Sequence, residues 1–290
     1  LGKYFIKSLL EINKSLKKKI KILAIDIKFD SCDIYKDYNV KKLKKDINKI
    51  NQISFKSDFT LHAAGIPSPK HYYNKPIDAI FTSITGTKKL LEYSKKNKSK
   101  LIHLSSTSVY GHHGENWVDE LTNPSPKTKM GINRLISENQ WRLVCKKNSI
   151  NLQIFRPGGI YSAMSNQIER FRNSSIHEPI IKDNIKFNRI HQDDLVGVIL
   201  SSFKHNNESN IFNVVDDKPA STWEQAQFVC EILSLNLPEN TKLDTATLSE
   251  KQKEFYKEMK LVKNDLIKKK LGYKLLYPSY KDGFRSILGL

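Results

Sequence analysis

The histidine pair His112-His113, the cysteines Cys32, Cys145 and Cys230, and Asp26 at the end of the apolar run KILAIDI are the first side chains here with chemistry to offer. Imidazoles titrate near neutral pH, so the pair could exchange protons. No Cys, Asp or Glu stands beside the pair at a metal-ligand spacing, so exposed loop histidines are the better reading and no metal site is expected. The cysteines are odd in number and far apart, making neither a disulfide framework nor a zinc knuckle. They fit a reducing compartment, and with no secretory signal at the N-terminus the expected location is cytoplasmic. Cys145 precedes Lys146 and Lys147, which would lower a thiol pKa, but a buried inert thiol is the commoner case.

These groups need a scaffold, and the composition allows one. The 290 residues are 39% hydrophobic and 27% charged, an ordinary globular balance. No apolar run reaches the roughly eighteen residues of a membrane helix, so no membrane association is expected. The net charge of +19 raises nucleic acid as a partner, but only seven of the basic residues are Arg and the lysines are spread from Lys3 to Lys281. Base and phosphate readout favours Arg and a clustered patch, so no nucleic acid partner is expected.

Short β-branched runs alternate with amphipathic stretches. The pattern predicts helices over 3–17, 40–50, 77–95 and 131–147, and strands over 21–27, 59–63, 100–105 and 151–155. Strands separated by helices at this spacing mean βαβ units, hence an α/β fold with a doubly wound parallel sheet of the Rossmann kind. After Pro157 the rhythm loosens. A helix opening near Asp193, a strand over 211–215, and helices over 223–233 and 249–270, the last closed by Gly272, suggest a smaller α/β substrate lobe. The expected domains are 1–160 for nucleotide binding and 161–290 for substrate. Leu1-Gly2 stand directly before a helix with no strand ahead, so the sequence reads as a fragment lacking its first strand and part of a glycine turn. Gly2 would be the last glycine of a G-x-G-x-x-G loop.

Several segments then fall in one order. They are His62-Ala63-Ala64-Gly65, Gly86-Thr87, the run SSTSVYG over 105–111, the run RPGGIY over 156–161, RIHQDDL over 189–195, and FNVVDD over 212–217. This series resembles the extended short-chain dehydrogenase/reductase family, the NAD-dependent epimerase/dehydratase group, over nearly the whole chain. Leu271-Gly272-Tyr273 and Tyr277-Pro278-Ser279-Tyr280 with Gly283 are similar to a divergent, YeeZ-like atypical branch.

The resemblance implies a cofactor site of Gly2, Asp26, Ala63, Ala64, Gly65, Ser105, Arg134 and Pro157. Asp26 would accept from a ribose diol, favouring NAD over NADP, unless it merely caps a strand end. Ser83 stands where many relatives carry Asn. On the catalytic side, Ser106 matches the hydroxyl that orients the substrate. The family's Tyr-x-x-x-Lys is replaced by Met130 and Arg134. A thioether cannot shuttle a proton, whereas Arg134 can still hydrogen-bond a ribose hydroxyl. Tyr110 reads as a packing residue, Glu120 as a cleft-lining or loop-anchoring acid, and Tyr161 and Arg156 as residues without a firm role. On the substrate side, the arginine that clamps a diphosphate is replaced by Phe187. Arg189 would serve a related anionic group or pair with Asp193 or Asp194, the latter read as a helix-start cap.

The expected activity is that of an NAD(P)-dependent oxidoreductase or epimerase-like enzyme on a small molecule. The rival is a dinucleotide-binding sensor without turnover. A homodimer through helices 77–95 and 131–147 is the oligomer the family suggests, and exposed Ile or Leu on their outer faces would be its trace.

Overall fold

The computed structural model describes residues 1–50, 52–63, 88–168, 172, 180–181, 183–204, 210–237, 239–243, 248 and 250–290. In chain order the elements are α1 (Gly2–Ser15), β1 (Ile22–Asp26), β2 (Val40–Lys44), β3 (Phe59–His62), β4 (Lys100–Leu104), β5 (Trp117–Val118), α2 (Lys129–Lys147), β6 (Leu152–Pro157), β7 (Gly159–Tyr161) and β8 (Ile180–Ile181). They continue with β9 (Arg189–His191), α3 (Gln192–Ser201), β10 (Asn210–Val214), α4 (Thr222–Ile232), β11 (Asn240–Thr241), α5 (Glu250–Tyr256), β12 (Leu261–Val262), α6 (Asp265–Leu271) and α7 (Tyr280–Leu288). Residues 88–97 are also helical; the rest of the expected helix 77–95, with Ser83 and Gly86-Thr87, lies outside the described residues.

The fold is α/β with parallel pairing, as the alternation predicted: β1 with β2, β3 with β4, β5 with β12, β7 with β9 and β8 with β11. A four-stranded sheet runs in the order β10-β6-β4-β3. Its inner strands β4 and β6 are buried almost throughout, as in a sheet covered on both faces, so that even Lys100, His103 and Gln153 lie inside. The chain divides into two compact units, one of residues 1–104, 136–154 and 206–210, the other of 105–135, 155–205 and 211–290.

In the first unit α1 buries Phe5, Ile6 and Leu9 at helical spacing. The expected helix over 40–50 is a strand instead. Val40 and Leu43 mimic a helical i, i+3 pair, but β2 lies in register on β1 from Ile22↔Val40 to Asp26↔Lys44. Its lysines point outward on a mostly exposed strand, as charges commonly do at a sheet edge. Trp141 of α2, fully buried, packs its ring 5.3 Å from those of both His62 and His103. Cys145, on the same helix, is buried, and burial pushes its thiol up to about 12, so the flanking lysines do not activate it.

In the second unit a core of Tyr161, Ile168, Ile180, Phe228, Val229 and Phe284 gathers β7, β8, α4 and α7. Gly283 of α7 lies against Tyr161, whose hydroxyl occupies the space a side chain would need. The expected long helix over 249–270 is broken into α5 and α6 by β12, which pairs with β5 from far back in the chain. Gly272 does close α6 in the left-handed conformation, at φ 61°.

Candidate functional site

Where β4 ends, Ser105 is held by its N–H, which donates to Phe155 O at 2.8 Å. Ser106 follows in extended conformation and caps a 3-10 turn over Thr107–Tyr110, its Oγ accepting from Ser108 N–H at 3.2 Å. That bond uses an acceptor lone pair and leaves the hydroxyl proton of the half-buried Ser106 available to polarise a carbonyl or alcohol. The turn abuts the start of α2. A Cβ on Gly131 would lie 2.6 Å from Ser108 O, so glycine is what lets the two turns close on each other. Met130 and Arg134, one helical turn apart and both half-buried, are therefore carried beside the Ser106 turn.

Beneath this junction lies a buried polar network. The Tyr110 hydroxyl donates to Asn213 Oδ1 at 2.8 Å and accepts from Arg156 Nη1 at 2.9 Å, with the guanidinium over its ring. Burial pushes the phenol up to about 12. Tyr110 thus packs within this network, its phenol held well above the range in which a side chain exchanges protons near neutral pH. Glu120 anchors a loop: its Oε1 accepts from Asn213 N–H at 2.8 Å, and burial raises its carboxyl pKa. Asn213 and Arg156 gained their roles from partners distant in sequence and carried no signal of them.

The substrate-side expectations change. Arg189 is buried, and its Nη1 donates to the carbonyls of Phe187 and Ala220 at 3.0 and 2.7 Å. Burial pushes its pKa down to about 10. It pairs with neither Asp193 nor Asp194. Asp193 faces His191 at 3.7 Å, and His191 caps α3. Asp194 does not cap the helix; it accepts from Tyr273 OH and from the N–H groups of Leu276 and Tyr277. Phe187 stacks on Phe255 with centroids 4.2 Å apart. The acid that does sense Arg189 is Asp216, just beyond β10. It is buried, its Oδ2 lacks a hydrogen bond among the described residues, and burial pushes its carboxyl up to about 8. The histidine pair is not simply solvated: His112 Nδ1 accepts from Met259 N–H, and His113 Nε2 lies 3.0 Å from Tyr110 O. Among the described residues no cluster of His, Cys, Asp or Glu could hold a metal.

The expected cofactor residues divide between the units. In the second, Ser105 and Pro157 are buried, and Ser105 Oγ has no hydrogen bond among the described residues. In the first, Asp26 ends β1 with its carboxylate exposed, one oxygen accepting from Lys28 N–H at 3.2 Å. Ala63 directly follows β3 and is exposed. Ala64 and Gly65 lie outside the described residues. Gly2 opens α1, and a Cβ there would meet nothing within 4 Å among the described residues. An exposed acid at a strand end fits a ribose diol, and an orphaned buried hydroxyl fits a further polar ligand group.

A sequence model of the NAD dependent epimerase/dehydratase family matches residues 12–214, more than half of the chain. The chain belongs to that family. Human UDP-glucose 4-epimerase is 27% identical over 162 residues, 52% of this chain and 42% of that protein. The chain thus matches less than half the length of this curated relative. UDP-D-apiose/UDP-D-xylose synthase 2 of Arabidopsis thaliana is 33% identical over 55 residues, 19% of this chain and 14% of its own. Among solved structures, a conserved Silicibacter pomeroyi protein of unknown function is 25% identical with a TM-score of 0.75, covering 98% of this chain and 94% of its own. The Bacillus cereus UDP-glucuronic acid 4-epimerase, solved with UDP-glucuronic acid and NAD, superimposes with a TM-score of 0.80 at 19% identity over 99% and 94% of the two chains. This epimerase likeness is one of fold. Among the described residues no helix is long and apolar enough to cross a membrane.

Proposed function

We propose that this protein binds NAD, in preference to NADP, and performs oxidoreductase or epimerase/dehydratase-type chemistry of the atypical extended short-chain dehydrogenase kind on a small molecule. The observation that supports this most is the abutment of the Ser106 turn on the start of α2, with the Ser106 hydroxyl proton uncommitted by its capping bond. In this reading Asp26 takes the adenosine ribose diol, Ala63, Ala64, Gly65 and Gly2 line the dinucleotide, and Ser105 and Pro157 border its nicotinamide end. Ser106 orients the reacting carbonyl or alcohol, and Arg134 holds the nicotinamide ribose. The dinucleotide, when bound, supplies hydride transfer. Phe187 in place of a clamping arginine, with Arg189 spent on backbone carbonyls, argues for a substrate whose anion is read elsewhere than in the named epimerases.

A second reading, a dinucleotide sensor without turnover, is favoured by Met130 and by the locked Tyr110. The two separate on supplying NAD with UDP-glucose or UDP-glucuronic acid and following both NADH absorbance and the sugar product by chromatography, since an epimerase or dehydratase returns its hydride and accumulates no NADH. Formation of NADH or of a converted sugar that Ser106→Ala abolishes supports the enzyme. Tight NAD binding with neither NADH nor a converted product, from these or a wider alcohol panel, supports the sensor.

We also infer a homodimer through α2. Ile132, Ile136 and Leu143 are exposed at 43%, 43% and 70%, and at these spacings they share one helical face.

A further inference from the structure

The segment from Glu258 to Val262 is stitched to both turns of the candidate site, although it lies more than a hundred residues further along the chain. Met259 brackets the loop after the Ser106 turn: its N–H donates to His112 Nδ1 at 3.1 Å and its carbonyl accepts from His113 N–H at 2.7 Å. Glu258 reaches the other turn. Its Oε1 accepts from the N–H groups of Lys127 at 2.8 Å and Thr128 at 3.0 Å, the two residues directly before α2. Thr128 then passes the restraint inward, its Oγ1 accepting from Gly131 N–H at 3.2 Å. The second Glu258 oxygen faces Lys260 Nζ at 3.3 Å, and both side chains are buried, 5% and 10% exposed. Asn188 pins the far end, accepting from Val262 N–H and donating to Lys260 O.

A buried ion pair adds little net stability, because removing two charges from water costs about as much as their attraction returns. What this pair supplies is geometry. The start of a helix carries the positive end of its dipole, and a carboxylate that accepts from the two N–H groups just before α2 sits favourably against it. Lys260 compensates the acid, and burial lowers its own pKa against the opposing pull of Glu258.

We propose that Glu258, held by Lys260, is a positioning residue. It fixes the start of α2 against the Ser106 turn, and so fixes where Arg134 meets a bound dinucleotide. This rests on the reading of Arg134 given above. The test uses the full chain with Glu258→Ala, Glu258→Gln, Lys260→Met and a control, Arg134→Ala, each titrated with NADH and with ADP. ADP carries the adenosine half and lacks the ribose assigned to Arg134.

Positioning predicts that Arg134→Ala and Glu258→Ala each weaken NADH by about fivefold or more while ADP stays within about twofold, and that Glu258→Gln, which keeps an acceptor oxygen, loses less. If Glu258→Ala fails to melt cooperatively, Lys260→Met carries the test, with a loss of about threefold confined to NADH. A purely structural role lowers Tm and changes NADH and ADP alike, or neither, which overturns the proposal. Wild-type NADH affinity in Glu258→Ala beside a weakened Arg134→Ala overturns this inference alone. Wild-type affinity in Arg134→Ala overturns the reading of Arg134, and the inference with it.

Discussion

Replacing Tyr110 with Phe removes one oxygen and almost no volume, so its cost isolates the buried network beneath the candidate site. The hydroxyl gives a 2.8 Å bond to Asn213 Oδ1 and takes a 2.9 Å bond from Arg156 Nη1. Both neighbours are buried, Asn213 fully and Arg156 to within 2%. Water cannot step in without an opening, so each side forfeits the desolvation cost of a buried polar group, about 1–3 kcal/mol, with the charged partner toward the upper end. Because Arg156 makes further interactions, the expected loss is about 2–4 kcal/mol rather than the full sum. At about 2–4 °C per kcal/mol for a chain of this size, Tm falls by roughly 5–15 °C. Urea melts followed by tryptophan fluorescence and by circular dichroism give the midpoint shift at constant m. A loss under about 0.5 kcal/mol, the level of an ordinary surface change, refutes the claim that the network holds the Ser106 turn from below.

Asp216→Asn tests the buried acid. Its folded carboxyl is raised to about 8, so between the unfolded pKa near 4 and about 8 the native state binds more protons and stability falls as pH rises. The Asn variant lacks that fall, so its Tm relative to wild type rises from pH 5 to pH 8.5; a pH-independent difference contradicts the assignment. Thiol labelling of the native protein modifies Cys32, which is partly exposed, and spares the buried Cys145 and Cys230 until denaturant is added. Rapid native labelling of Cys145 contradicts its raised pKa. Leu143→Lys converts a dimer into a monomer in light scattering if the α2 stripe is the interface, and leaves the mass unchanged if it is not.

The α/β alternation was legible because β4 and β6 are buried on both faces and so spell their own strands. The segments misread were those decided by distant partners. Val40–Lys44 has helical spacing but finds β1, and Leu261–Val262 interrupts a helical lysine run because β5 and Asn188 are there to receive it. Glu258 and Lys260, just before that interruption, are buried by the same distant partners. The same divide runs through the candidate site. Ser106, Met130 and Arg134 sit in local motifs that show in one sequence. Asn213, Asp216 and Glu258 owe their surroundings to contacts across the fold, and a single sequence holds no trace of those.

The central claim is a dinucleotide site that favours NAD, and the most direct measurement is separate fluorescence titration of NADH and NADPH, repeated with Asp26→Ala. The account predicts micromolar NADH binding, weaker NADPH binding, and a loss for NADH of about tenfold or more in the variant, roughly 1.4 kcal/mol. No binding of either dinucleotide, or NADH binding indifferent to Asp26, contradicts it.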